Sequence, residues 1–187
     1  MKRNKTRDLL LCALFAALIA VGAFIRVPIP VLPFTLQFLF TMLAGILLGG
    51  RLGALSVCVY MAMGLIGLPV FTEGGGIMYI FKPSFGYIIG FAVASYVTGM
   101  LVQRAETPSF KRLISANFVG LVIVYAFGMV YYFCMSNFYL GNPIGLYPLF
   151  LYCFVLAVPG DIVLCIIGAV IGKRLIPMMK INGVRPQ

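Results

Sequence analysis

The chain has 187 residues, 63% of them hydrophobic and 10% charged, with a mean hydropathy of +1.10. A soluble domain is about one-quarter charged, so this composition reads as an integral membrane protein. A net charge of +10 is spread over fourteen Lys and Arg in short segments between apolar runs, which gives no basic face for nucleic acid.

The first apolar run, LLLCALFAALIAVGAFI, follows the basic start KRNKTR. Val21-Gly22-Ala23 loosely resembles a secretory cleavage site, but the run is long enough to span a membrane, and a retained first helix is expected. Its alanines fall at four-residue spacing, Ala13 with Ala17 and Ala16 with Ala20, which suits close helix packing within the bundle or against another membrane protein. Further apolar runs predict an all-α, six-helix membrane protein with spans near 8–25, 34–50, 53–71, 83–103, 113–136 and 149–176, given about 20 residues per crossing. The six fill almost all of 1–187 and leave no separate soluble domain.

With the N-terminus inside, Lys2, Arg3, Lys5, Arg7, Arg51, Arg104, Lys111, Arg112, Lys173, Arg174, Lys180 and Arg185 fall on the cytoplasmic side, and only Arg26 and Lys82 outside. That bias places both termini in the cytoplasm. Loops 26–33, 69–84 and 137–148 then converge on the outer side. They carry RVPIPVLPF, the glycine-rich LPVFTEGGGIMYIFKPSFGY, and SNFYLGNPIGLYP. Such loops are either plain connectors or a binding surface.

Polar candidates gather at these outer ends: Thr35 and Gln37 in PFTLQF, then Tyr79, Lys82, Ser84 and Tyr87. Singly, the tyrosines also suit an interfacial belt, and Arg26 and Lys82 suit snorkelling to headgroups. Helix packing is served by Gly86-Gly90-Ala94 in the fourth span and Gly168-Gly172 in the sixth.

Asp8, Glu73 and Glu106 lie in loops or at interfaces, whereas Asp161 lies inside the sixth span. An aspartate near a membrane helix centre costs about 2.5–3.5 kcal/mol, so it faces a partner or a watered cavity. Asp161, Cys165, Gly168 and Gly172 share one helix face. Pro159-Gly160, just before, removes a backbone donor and loosens the helix beside the carboxylate.

Catalysis finds no support. The chain has no histidine, no close carboxylate pair and no metal-ligand spacing. Five cysteines, Cys12, Cys58, Cys134, Cys153 and Cys165, lie inside apolar runs as small packing residues. GAVIGKR superficially resembles a phosphate loop, but only three residues separate its glycines, and Arg174 stands where Ser or Thr would hold magnesium.

Three segments together, VPIPVLPFTLQF, GGGIMYIFKPSFGYIIGF and VLAVPGDIVLCIIGAVIGK, resemble the BioY family, the substrate-binding (S) component of biotin transporters of the energy-coupling factor class. The likeness runs along nearly the whole chain in the family's motif order. It implies a six-helix bundle in a prokaryotic plasma membrane that captures biotin from outside, binds no cofactor, and works with a transmembrane T component and two ATPases. In the family the first-helix alanines dock the T component, which points to Ala13, Ala16, Ala17 and Ala20. The glycine-rich loop and the start of helix four cover the vitamin, and the helix-six aspartate lies in the pocket. Carried over, this points to Gly74, Gly75, Gly76, Tyr79, Pro83, Gly86, Tyr87 and Asp161.

Two positions depart from the family pattern. Leu164 stands where members commonly have a lysine one turn after the aspartate, and Lys82-Pro83-Ser84 replaces Gly-Pro-Thr. Biotin carries a carboxylate and a ureido ring, which need donors for one and a mixed set for the other. The expectation is that Lys82 pairs with the valerate carboxylate while Asp161, with Gln37, accepts from the ureido nitrogens. The alternatives are an S component for another vitamin, a membrane scaffold that works through its small-residue seams, and, weakest, a membrane enzyme. The role of Glu73 is open.

Overall fold

In a computed structural model the protein is an all-helical bundle. The structure describes residues 5–27 and 34–181. Lys2, Arg3 and Arg185 of the charge count and residues 28–33 of the proline-rich loop lie outside them.

The main helices are α1 (Lys5–Phe24), α2 (Gln37–Leu48), α3 (Gly50–Leu65), α4 (Phe85–Gln103) and α5 (Phe110–Cys134), then the short α6 (Leu146–Phe150) and the long α7 (Val158–Ile181). Between α1 and α2 a minimal hairpin pairs β1 (Arg26–Val27) with β2 (Phe34–Thr35), Arg26 opposite Thr35. A single 3₁₀ segment, Ile77–Phe81, precedes α4.

Helix α2 is apolar all round and occupies the centre, against α1, α3, α4, α5 and α7. Every residue of it but Phe40 is buried, as expected of a helix with no polar face. Its end is set by Gly49, whose φ of 91° is a left-handed conformation that only glycine adopts at little cost. The chain turns there in one residue and starts α3.

The sequence expectation for the second and third spans is corrected in length. They are helices of 12 and 16 residues, because residues 34–36 belong to the hairpin and its turn and the residues beyond 65 go into the glycine-rich loop. Among the described residues, four helical segments are long and apolar enough to cross a membrane, and α2 and α3 are shorter apolar helices.

The sixth predicted span is composite. A π-helical turn, Leu151–Val155, joins α6 to the start of α7, and Pro159 is the second residue of α7, where the missing N–H costs no helical bond. A similar π turn, Met135–Tyr139, extends α5.

Small residues let the helices approach closely. The α4–α5 pair meets along Gly86 and Gly90, where an added methyl would lie 3.0 Å from the Phe127 carbonyl oxygen and 3.0 Å from the Val124 Cα respectively. Gly172 of α7 packs on Ile46 of α2 in the same way. Both glycine seams are internal.

The four alanines of α1 divide. Ala13 and Ala17 are exposed beside Leu9, Leu10, Leu14 and Val21, whereas Ala16 and Ala20 are buried in the bundle. The four alanines lie within one sector of about 100° on α1, and the bundle covers its Ala16 and Ala20 while Ala13 and Ala17 stay exposed, so only part of the expected docking set is at the surface.

Candidate functional site

Where α2, α4, α5 and α7 approach the glycine-rich loop, they enclose a cavity of about 60 Å³. Its apolar walls are Phe34, Phe38, Ile88, Phe91, Val124 and Ala157. The polar lining comprises Thr35, Gln37, Thr72, Tyr79, Ser84, Tyr87, Tyr125 and Asp161. Burying so many hydrogen-bonding groups in a membrane bundle costs free energy unless they are paired or face a ligand.

Asp161 sits in the first turn of α7, 8% exposed. Its Oδ2 accepts a 2.6 Å hydrogen bond from the Tyr125 hydroxyl of α5, so one carboxylate lone pair is held and the rest of the group remains for another donor. Tyr125 is itself held by edge-on contacts with Tyr87 and Phe154, their ring centres 6.0 and 5.4 Å away. The Tyr87 hydroxyl is buried beside the Cys153 thiol and, among the described residues, meets no oxygen or nitrogen partner. Its ring lies against Gly128, where any side chain would collide with it.

Opposite, Gln37 begins α2 and is buried. Its Nε2 donates to the Tyr60 hydroxyl at 2.5 Å and its Oε1 accepts from Thr35 Oγ1 at 3.3 Å. The loop supplies the third side. Tyr79 of the 3₁₀ segment shares a hydrogen bond between its hydroxyl and Thr72 Oγ1 at 3.0 Å and accepts one from Ser84 Oγ at 3.4 Å.

The loop is folded down over this cavity by its own backbone. Phe71 and Gly74 exchange hydrogen bonds, and the Gly76 amide donates to the Gly64 carbonyl at 2.7 Å. Gly74 and Gly76 have φ of 107° and 105°, positions where a side chain is strained. Gly75 presses on the Leu68 carbonyl. These three glycines thus shape the loop but do not line the cavity, and neither do Pro83, in the turn before α4, or Gly86, on the α4–α5 seam.

Lys82 also lies outside the lining. Its ammonium donates to Glu73 Oε2 at 2.8 Å and to the Glu73 carbonyl at 3.2 Å, and sits 5.0 Å from the centre of the Tyr79 ring. This pair and the Arg26 guanidinium, which donates to the Thr72 carbonyl at 2.8 Å, tie the loop from its exposed side. The open question of Glu73 is thereby answered for this conformation: it faces Lys82.

Sequence reasoning placed Thr35, Gln37, Tyr79, Ser84, Tyr87 and Asp161 among candidates, and all six line one cavity. It missed Tyr125, Thr72 and the buried Tyr60. A tyrosine deep within an apolar span, far from the interfacial belt, is the signal that would have marked Tyr60 and Tyr125.

A helical membrane bundle whose cavity sets apolar walls beside converging hydrogen-bonding groups, under a hydrogen-bonded loop, defines a membrane protein with a built site for a small molecule. The chain belongs to the BioY family, whose family model matches residues 1–181. It is similar to a probable biotin transporter BioY of Lysinibacillus sphaericus, 47% identical over 94% of this chain and 89% of that one. To the biotin transporter BioY of Thermotoga maritima it is 39% identical over 71% of this chain and 76% of that one. The crystal structure of the S-component for biotin from an ECF-type ABC transporter matches with a TM-score of 0.79 at 32% identity, covering 94% of each chain.

Proposed function

We propose that the protein captures biotin from the outer side of a prokaryotic plasma membrane as the S component of an energy-coupling factor importer. The observation that carries this reading is the Tyr125-held Asp161 lining one cavity with Gln37 and Tyr87. The carboxylate accepts from the ureido N–H groups, and the tyrosine hydroxyl and Gln37 amide supply the remaining polar contacts. The apolar walls take the hydrocarbon and sulfur parts.

Six crossings with both termini inside follow from the twelve-to-two division of cations, the short α2 and α3 crossing within the bundle. Lys82 pairs with the valerate carboxylate by exchanging it for Glu73, the nearby anion it now holds. The glycine loop acts as the lid that Gly74, Gly75 and Gly76 shape. Ala13 and Ala17 are the part of the alanine set available to a T component, and the ATP hydrolysis that drives delivery belongs to two partner subunits.

Leu164, buried where the family commonly has a lysine, favours one rival: an S component for a different vitamin. Calorimetric titration of the detergent-purified protein with biotin, desthiobiotin and unrelated vitamins separates the two. Saturable heat confined to the biotin pair supports the proposal, and binding of another vitamin alone overturns the substrate while sparing the fold.

A further inference from the structure

Tyr60 of α3 is fully buried and does not line the cavity, yet its hydroxyl joins two parts of the site. It accepts from Gln37 Nε2 at 2.5 Å and donates to the Val70 carbonyl at the root of the loop at 3.1 Å. A phenol has one proton. With that proton committed to Val70, only lone pairs face Gln37, which must therefore present its NH₂ end. At the other end of the same amide, Thr35 Oγ1 donates to Oε1 at 3.3 Å. Gln37 thus cannot exchange its donor and acceptor ends without losing the Tyr60 bond or drawing the Tyr60 proton away from Val70, whereas the Thr35 hydroxyl, which can donate or accept, holds either orientation.

The ring of Tyr60 makes a second connection. It packs edge-on against Phe71, 5.4 Å between ring centres, and Phe71 packs at 4.4 Å on Tyr79. Gly64, one turn along α3 from Tyr60, leaves the space Phe71 fills. One side chain outside the cavity therefore touches Gln37 through its hydroxyl and, through its ring, Phe71 and by way of it Tyr79.

We propose that Tyr60 is a positioning residue: its hydroxyl, clamped between Gln37 and the Val70 carbonyl, fixes which end of the Gln37 amide serves the cavity and couples that amide to closure of the loop. The ligand arm of this inference rests on the biotin reading above; the loop arm does not. A ligand that needs the fixed amide then stabilises the closed loop, and an open loop releases the amide.

The test is Tyr60→Phe, which keeps the ring and removes the hydroxyl. Biotin titration is run on wild type, Tyr60→Phe, Gln37→Ala and the double variant. The expected result is about tenfold weaker binding for Tyr60→Phe and little further loss when it is added to Gln37→Ala, the non-additivity of residues acting through one contact. Losses that multiply, or no loss, overturn the assignment. If Tyr60→Phe fails to fold, Gln37→Glu removes the amide donor that Tyr60 accepts, and unchanged biotin affinity together with unchanged loop exchange in that variant overturns the assignment.

Hydrogen exchange without ligand tests the loop arm. The Phe71, Gly74 and Gly76 amides, each hydrogen-bonded in the closed loop, are expected to exchange about fivefold faster in Tyr60→Phe, as local opening becomes easier. Unchanged exchange at those amides overturns the coupling. Wild type that binds no biotin but shows the faster loop exchange in the variant would refute the biotin reading and leave the coupling standing.

Discussion

Tyr125→Phe removes one hydroxyl from the site and keeps the ring contacts with Tyr87 and Phe154. What is lost is the 2.6 Å bond to Asp161 Oδ2. A hydrogen bond to a carboxylate contributes about 1.5–3 kcal/mol, and in a chain of this size each kcal/mol moves Tm by about 2–4 °C. The variant should therefore melt about 3–12 °C below wild type. Binding suffers less, because the ligand must only re-order a carboxylate that Tyr125 no longer holds. That costs about 0.5–1.5 kcal/mol, or roughly 2–13-fold in Kd.

Asp161→Asn reverses the order. An amide oxygen accepts more weakly than a carboxylate by about 1–2 kcal/mol, which raises Kd by roughly 5–30-fold. The assays are thermal unfolding followed by circular dichroism, the chain having no tryptophan, and calorimetric titration with biotin. Tyr125→Phe with unchanged Tm and affinity, or with a larger affinity loss than Asp161→Asn, refutes the roles given to the pair.

Gly86→Ala drives a methyl into the Tyr131 side chain on the tight α4–α5 seam and is expected to cost about 1–3 kcal/mol, read as a lower Tm. Ala16→Leu should destabilise the bundle in the same assay, while Ala17→Leu keeps Tm and biotin affinity but weakens co-purification with a T component; equal effects of the two would sink the division of the α1 alanines. The Lys82–Glu73 pair, with side chains 41% and 48% exposed, contributes at most about 1 kcal/mol to stability, so Lys82→Ala should melt within a few degrees of wild type. The same variant should bind biotin more weakly yet bind biotin methyl ester as wild type does, and a similar loss for both ligands removes Lys82 from the carboxylate.

Apolar run length marked the membrane class in the sequence, and the isolated acid Asp161, the glycine loop and the polar residues at helix ends marked where to look. These are legible because a charge or a run of glycines inside an apolar span is costly enough to need a reason wherever it sits. The sequence order of three segments also pointed to the BioY family. The break at Gly49-Gly50 was legible to within two residues, whereas the start of α2 at Gln37 and the end of α3 at Leu65 were not, because the residues flanking them are as apolar as the helices.

Only the tertiary structure decided which face of each helix is inside. In a soluble protein the polar face answers that question, but lipid and core are both apolar, so the hydrophobic pattern around a membrane helix carries little direction. Hence Ala16 and Ala13, three residues apart and chemically identical, have opposite surroundings. The depth of Tyr60 and Tyr125 in their apolar spans marks them in the sequence as out of the belt, but only folding shows that Gln37 and Asp161 are what their hydroxyls meet. Residue chemistry determined what the protein is made to live in, and packing determined which of its few polar groups meet.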